Sequence, residues 1–142
     1  MNSETLRSYA PAVVRIGIGL CILWFGAQMF IDTDSWSSYI PEYAMSLTGL
    51  DAITLTYING VFETVVSLAL ILGVFVRPMA LVMTTHIALI AVDLGYNQIA
   101  IRDWGLAAAA FGIFFHGPDR LSLHHQLFKQ KKEIVDPFMP QS

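Results

Sequence analysis

Four long apolar segments, separated by short polar stretches, dominate the pattern of hydrophobic and polar positions along the chain. They cover residues 10–31, 53–76, 78–94 and 99–116. A transmembrane helix needs about 20 predominantly apolar residues, and shorter segments still cross when their flanking residues lie at headgroup level. The pattern therefore predicts an all-α, polytopic membrane protein, in which an antiparallel four-helix transmembrane bundle forms a single domain over residues 1–142.

Composition supports this class and excludes others. Of the 142 residues, 55% are hydrophobic and 13% are charged, whereas soluble domains carry about 25% charged residues. The weak net charge of −3 excludes nucleic acid as an expected partner. The single cysteine, Cys21, cannot form an intrachain disulfide. The expected partners are the lipid bilayer and other membrane protein subunits.

The distribution of basic residues predicts the orientation. Arginines lie before the first span (Arg7), between spans two and three (Arg77) and after span four (Arg120), and lysines follow in the last 14 residues. The connection between spans one and two has no basic residue. The positive-inside rule therefore places both termini and the tail, residues 117–142, in the cytoplasm, with the chain in the inner membrane.

The connection after span one is predicted to lie at the membrane interface. Trp36, Tyr39 and Tyr43 are amphipathic aromatic residues of the kind that concentrate there. Pro41 and Glu42 suit the first turn of a short helix. We expect this segment to cover the outer mouth of the bundle.

The strongest functional signal is an acid in the middle of span two. Glu63 is surrounded by apolar residues, and a carboxylate at such depth costs roughly 2.5–3.5 kcal/mol on insertion scales. Arg15 and His86 lie at comparable depth in neighbouring spans, and Asn59 shares the helix face of Glu63 at i, i+4 spacing. These four residues are predicted to form an interior group that binds a ligand or a proton.

Further polar residues indicate an outer mouth to this interior. Gln28, Asp93 and Arg102 lie in the outer halves or at the ends of their spans. No metal site is predicted, because a haem would need a second axial ligand at the depth of His86 and the spans offer none. No catalytic residue can be assigned from the sequence.

Two interpretations of the interior group remain open. In the first, Glu63, Arg15 and Asn59 form a hydrogen-bonded lock that fixes the helix register, since lipid offers polar groups no other partner. Alternatively, the group binds a polar headgroup such as that of a quinone, or passes protons, as a His–Glu pair in low dielectric can. The two interpretations are compatible.

Small residues predict where helices approach closely. Small-x-x-x-small spacings occur in spans one and four, at Gly17, Cys21, Gly105, Ala108, Ala109 and Gly112. Such spacings permit close helix contact. We expect spans one and four to pack tightly against each other or against another subunit.

Several short motifs, in this order, resemble the DoxX family of four-helix membrane proteins. They are Arg15 with Gly17-Ile18-Gly19, Trp24-Phe25-Gly26, Asn59-Gly60-Val61-Phe62-Glu63, Leu72-Gly73, Arg77-Pro78, Arg102-Asp103-Trp104-Gly105 and Gly117-Pro118-Asp119-Arg120-Leu121-Ser122-Leu123. The family includes the small membrane subunit of thiosulfate:quinone oxidoreductase, and other members are linked to redox or thiol-stress assemblies. The resemblance implies that Glu63 and Arg15 are an inherited interior pair and that a quinone is the candidate ligand, with no covalently bound cofactor.

Three functions follow as hypotheses. The first is an accessory or quinone-interacting subunit of a membrane redox complex, an oxidoreductase whose chemistry is largely supplied by a partner. The second is a structural or assembly subunit of a larger membrane complex. The third, ranked last because the sequence shows no internal repeat, is a small proton-coupled transporter.

Overall fold

The computed structural model describes residues 3–123, and every regular element within that range is an α-helix. The helices are α1 (Ser3–Ile31), α2 (Thr33–Ser37), α3 (Glu42–Thr48), α4 (Ala52–Leu72), α5 (Val76–Leu94) and α6 (Gln98–His116). Four of them, α1, α4, α5 and α6, are long and apolar enough to cross a membrane. The predicted four-helix membrane fold is confirmed. The lysine-rich part of the predicted tail, residues 124–142, lies outside the described residues.

The two ends of the bundle differ in structure. At one end, called here the cap end, α2 and α3 connect α1 to α4. Pro41 is the N-cap of α3, so the short helix begins at Glu42 as its sequence predicts. At the opposite end, called here the terminal end, lie the start of α1, the α4–α5 turn and the segment that follows α6.

The turn between α4 and α5 has its own local geometry. Helix α4 ends at Leu72, earlier than the apolar pattern suggests, because Gly73 adopts a left-handed φ of 73° that stops the helix. Phe75 is also left-handed, with a φ of 47°. Helix α5 therefore begins at Val76, and Pro78 lies in its first turn, where the missing N–H is tolerated.

Tight packing joins α1 to α4 and α5 to α6, whereas α4 and α5 contact each other less although a short turn connects them. Glycines bring α1 and α4 together: a Cβ on Gly26 would lie 3.1 Å from the carbonyl oxygen of Gly60. A Cβ on Gly17, Gly105 or Gly112 would have no atom within 4 Å. These glycines of spans one and four therefore make no close contact within the bundle, and their predicted contact with another subunit stays a prediction.

The apolar core fills the terminal half of the space between the two helix pairs. Its fully buried members include Leu70, Val76, Ala80 and Met83, with Ile113 contributed by α6. These side chains close the bundle from the terminal end. Toward the cap end a cavity lies between the same two pairs.

The glycine contact gives a direct test of the α1–α4 packing. We expect Gly26→Ala to lower the free energy of unfolding by about 1–3 kcal/mol, because its Cβ would collide with backbone that cannot move aside. Unfolding by titrating a denaturing detergent into mild-detergent micelles measures the change. Gly17→Ala, in the same helix, is the matched control and should not destabilise. Equal stability of the two variants would contradict this packing.

Candidate functional site

A cavity of about 660 Å³ extends from the cap end into the middle of the four long helices. This volume is in the range of small-molecule sites, roughly 300–1,000 Å³. The deepest lining residue on each helix is Ile22 on α1, Glu63 on α4, His86 on α5 and Leu106 on α6. We call these four residues the floor of the cavity. It lies at mid-span, and two of its four side chains are ionisable.

Glu63 is the central polar group of the floor and is only 4% exposed. Its Oε1 lies 3.3 Å from Nε2 of His86 and accepts a hydrogen bond of 3.4 Å from Nδ2 of Asn59, one turn away on α4. The Asn59 amide also lies 3.4 Å from the sulfur of Met29 on α1. Contacts of Glu63 and Asn59 with Met29 and His86 thus connect α1, α4 and α5.

The second carboxyl oxygen of Glu63 is exceptional. Oε2 is buried and has no hydrogen-bond partner among the described residues. Buried polar atoms are almost always hydrogen-bonded, and an unpartnered one costs about 1–3 kcal/mol. Glu63 itself lines the cavity, whereas its Oε2 is enclosed by protein atoms.

The upper cavity carries a second set of polar groups. Nε of Arg102 donates a 2.8 Å hydrogen bond to Oδ1 of the buried Asp103, and the Arg102 guanidinium carbon lies 4.5 Å from the ring centre of Phe25. The hydroxyl of Tyr43 on α3 donates to Asp93 on α5, and this bond raises the pKa of Tyr43. The mouth is therefore polar and tied to the cap.

Sequence reasoning predicted two of these mouth residues and missed another. Asp93 and Arg102 line the cavity as expected, whereas Gln28 is not among the lining residues. Asp103 was missed. The sequence does contain a signal for it, because an acid lies directly beside Arg102 near the start of an apolar span. In the structure Asp103 is buried and pairs with Arg102 of the same helix.

Among residues 3–123 no group of three or more His, Cys, Asp or Glu is arranged to hold a metal ion.

Arg15 does not join the floor. Its Nε lies 2.6 Å from Oδ2 of Asp119 and its Nη2 lies 3.1 Å from Oδ1, while Nη1 donates to the carbonyl oxygens of Leu70 and Ile71. The predicted contact between Arg15 and Glu63 is therefore wrong, and the positions of the two residues explain why. The last-turn carbonyls of α4 lack helical partners, and Leu70 lies about two turns below Glu63.

Asp119 is the residue that the sequence did not reveal as a partner. It lies just after α6 in the Gly-Pro-Asp-Arg motif, and its carboxylate also accepts a 2.9 Å bond from the N–H of Leu121. Burial alone would raise the pKa of Asp119, but the hydrogen bonds from Arg15 and Leu121 and the charge of Arg15 outweigh it and lower the pKa. We call the Arg15–Asp119 pair, with the two α4 carbonyls, the terminal clasp.

The comparison with family sequence models decides the relationship. A model described as DoxX matches residues 10–95, more than half of the chain. The chain belongs to the DoxX family. The match includes the DoxX protein's Glu63, His86 and Arg15, whereas Arg102 and Asp119 lie beyond it. Comparison with curated proteins finds no match, and comparison with solved structures finds none.

Removing one side of the terminal clasp should destabilise this DoxX protein strongly. Asp119→Ala leaves the Arg15 guanidinium buried without its counter-ion, so we expect a loss of roughly 3–5 kcal/mol in the free energy of unfolding. The measurement is detergent-denaturation of the purified protein. Asp32→Ala removes an exposed aspartate whose side chain makes no capping hydrogen bond, and it should change stability by less than about 0.5 kcal/mol. Similar losses in both variants would refute the clasp.

The same pair predicts a pH dependence. Because the folded pKa of Asp119 lies below its ordinary value of 3.8, the unfolded chain binds the proton more readily. The clasp therefore contributes its full stability above pH 3.8 and loses it as the pH falls through the lower folded pKa. The stability difference between the wild type and Asp119→Ala should shrink below that pH. A difference that stays constant or grows on acidification contradicts the assignment.

Proposed function

We propose that this DoxX-family protein is an integral membrane component of a redox complex and that its cavity holds the headgroup of a quinone. The observation that carries the proposal is Glu63, a buried acid in the cavity floor whose Oε2 has no partner among the described residues. When protonated, a carboxyl group is a hydrogen-bond donor. A quinone carbonyl is the matching acceptor.

The remaining lining fits the same ligand class. Aromatic and aliphatic side chains make up most of the walls, and a planar ring packs well between aromatic faces. Phe62 lies beside the floor, with its ring centre 4.6 Å from that of His86. An apolar ligand with one polar end is thus matched by an apolar cavity with a polar floor.

Two floor residues and the neighbouring Asn59 have roles in this proposal. A bound quinone supplies the capacity to accept two electrons and two protons. Glu63 donates the hydrogen bond that orients the carbonyl, His86 is close enough to Oε1 to exchange a proton with it, and Asn59 holds the carboxyl in place. Because Cys21 is the only cysteine, a thiol pair cannot form within the chain, and we assign electron supply to a partner subunit.

Exposed glycine positions support association with partners, and with it a second candidate function as a structural subunit. Gly17 on α1 and Gly105 and Gly112 on α6 have open space where a Cβ would be. In a membrane such faces allow another helix to approach closely. In that second function, deletion of the protein lowers the amount of complex but leaves the rate per remaining complex unchanged.

Charge placement supports the proposed location in the inner membrane with both termini in the cytoplasm. Arg77 packs beside Gly117, and Arg120 donates to Ser8, so two arginines lie at the terminal end. The cap end carries acids such as Asp34 and Glu42. The positive-inside rule relates the arginine-rich side to the cytoplasm.

Quinone binding tests the proposal directly, because Trp24 and Trp36 line the cavity and report on an occupant by fluorescence quenching. We expect saturable quenching by a short-chain ubiquinone or menaquinone. Glu63→Leu, which removes the donor, should weaken binding roughly tenfold, the equivalent of about 1.4 kcal/mol. Glu63→Gln keeps an N–H donor and should bind within about threefold of the wild type.

The controls separate binding from folding and from proton transfer. Glu4→Leu makes the same change at an exposed position and should leave binding unchanged. In the assembled complex Glu63→Gln can donate a hydrogen bond but no proton, so quinone-linked turnover should fall at least about tenfold. Absence of saturable binding to the wild type, or normal turnover in an assembled Glu63→Gln complex, would reject the quinone role and favour the structural one.

A further inference from the structure

The charges that line the cavity are unbalanced. Among the described lining residues there are three carboxylates, Glu63, Asp93 and Asp103, and one guanidinium, Arg102. While the Glu63–His86 pair holds one proton, the cavity carries an excess of one negative charge, and the excess is two once that proton leaves. A neutral ligand leaves the excess of two in place, whereas a cationic ligand brings it back to one.

The walls are built from aromatic rings. Six of the lining residues are Trp24, Phe25, Trp36, Tyr39, Tyr43 and Phe62. Aromatic faces attract organic cations, and rings grouped around a site are the usual means of holding them. One such contact exists within the cavity, since the Arg102 guanidinium lies 4.5 Å from the ring centre of Phe25.

The three acids differ in how well they are satisfied. Asp103 has the Arg102 guanidinium and Asp93 has the Tyr43 hydroxyl. Glu63 has contacts at Oε1 only, while its buried Oε2 has none among the described residues. Glu63 is thus the lining carboxylate at which an incoming positive charge would meet no competing donor.

We propose that the cavity binds a lipophilic organic cation, with its charge beside the Glu63 carboxylate and its apolar groups against the aromatic walls. Binding exchanges the cation for a proton. The Glu63–His86 pair releases one proton to water, only an N–H or O–H bond breaks, and the carboxylate pairs with the cation without electron transfer. The inference does not rest on the quinone, which as a neutral acceptor requires a donor at this position instead.

Other ionisable groups lie around Glu63, and the variants in the test below do not change them. Helix α5 contributes His86 and Asp93, α6 contributes Arg102 and Asp103, and the cap contributes Tyr39 and Tyr43. Helix α1 contributes only Ile22, Trp24, Phe25 and Met29, none of which ionises. Since His86 and Glu63 share a contact, the released proton belongs to the pair and not to either residue alone.

Tetraphenylphosphonium is a suitable probe, and triphenylphosphine oxide is its neutral counterpart. We expect the detergent-purified wild type to bind the phosphonium saturably by tryptophan quenching and to release about one proton per cation into weakly buffered solution, read with a pH dye. Affinity should rise with pH. Glu63→Gln should lose at least about tenfold in affinity, the equivalent of 1.4 kcal/mol or more, and release no proton. Glu4→Gln, the same change at an exposed site, should behave as the wild type.

The outcomes separate this inference from the quinone proposal. Glu63→Gln should lose the cation but retain the short-chain quinone, which also shows that the variant is folded. Equal binding of the phosphonium and the neutral oxide, binding without proton release, or unchanged affinity in Glu63→Gln would each overturn the cation site. Those results leave the quinone test unaffected. Where the wild type binds no quinone, an unchanged denaturing-detergent titration shows instead that Glu63→Gln is folded, and the cation test still decides.

Discussion

Lipid cannot hydrogen-bond to a polar side chain, so every charged group inside this bundle depends on partners that the protein itself supplies. Arg15 obtains a complete set: one carboxylate and two carbonyl oxygens, all shielded from lipid. Glu63 has partners for one carboxyl oxygen only, because Oε1 is hydrogen-bonded and Oε2 has no partner among the described residues. The contrast between these two residues separates the part of the molecule that holds the fold together from the part that is available for binding.

The architecture follows from the same contrast. At the terminal end the clasp and the apolar side chains around Leu70 and Met83 close the space between the two helix pairs. Toward the cap end the pairs enclose the cavity, and α2 and α3 lie over its mouth. A cavity that reaches the cap end can exchange a proton or a polar headgroup with that side of the membrane, which both proposed ligands require.

Local pattern was enough to predict the four spans and the short helix after Pro41, because apolar length and turn chemistry act over neighbouring residues. It also placed Glu63 and His86 at similar depth on consecutive spans, and the structure brings them within 3.3 Å. The partner of Arg15 could not be predicted this way. Asp119 is 104 residues away and lies outside every span. Spacing likewise identified small residues without showing which faces meet, so Gly26 and Gly60 were missed as the close contact.

The position of Asp119 also affects how the protein is made. Arg15 enters the membrane with the first helix, whereas its counter-ion arrives only after the fourth has been synthesised. Until then Arg15 lacks its counter-ion, so the chain cannot reach its full stability before the segment that follows α6 has been synthesised. The first helix thus depends on the last part of the described chain to become stable.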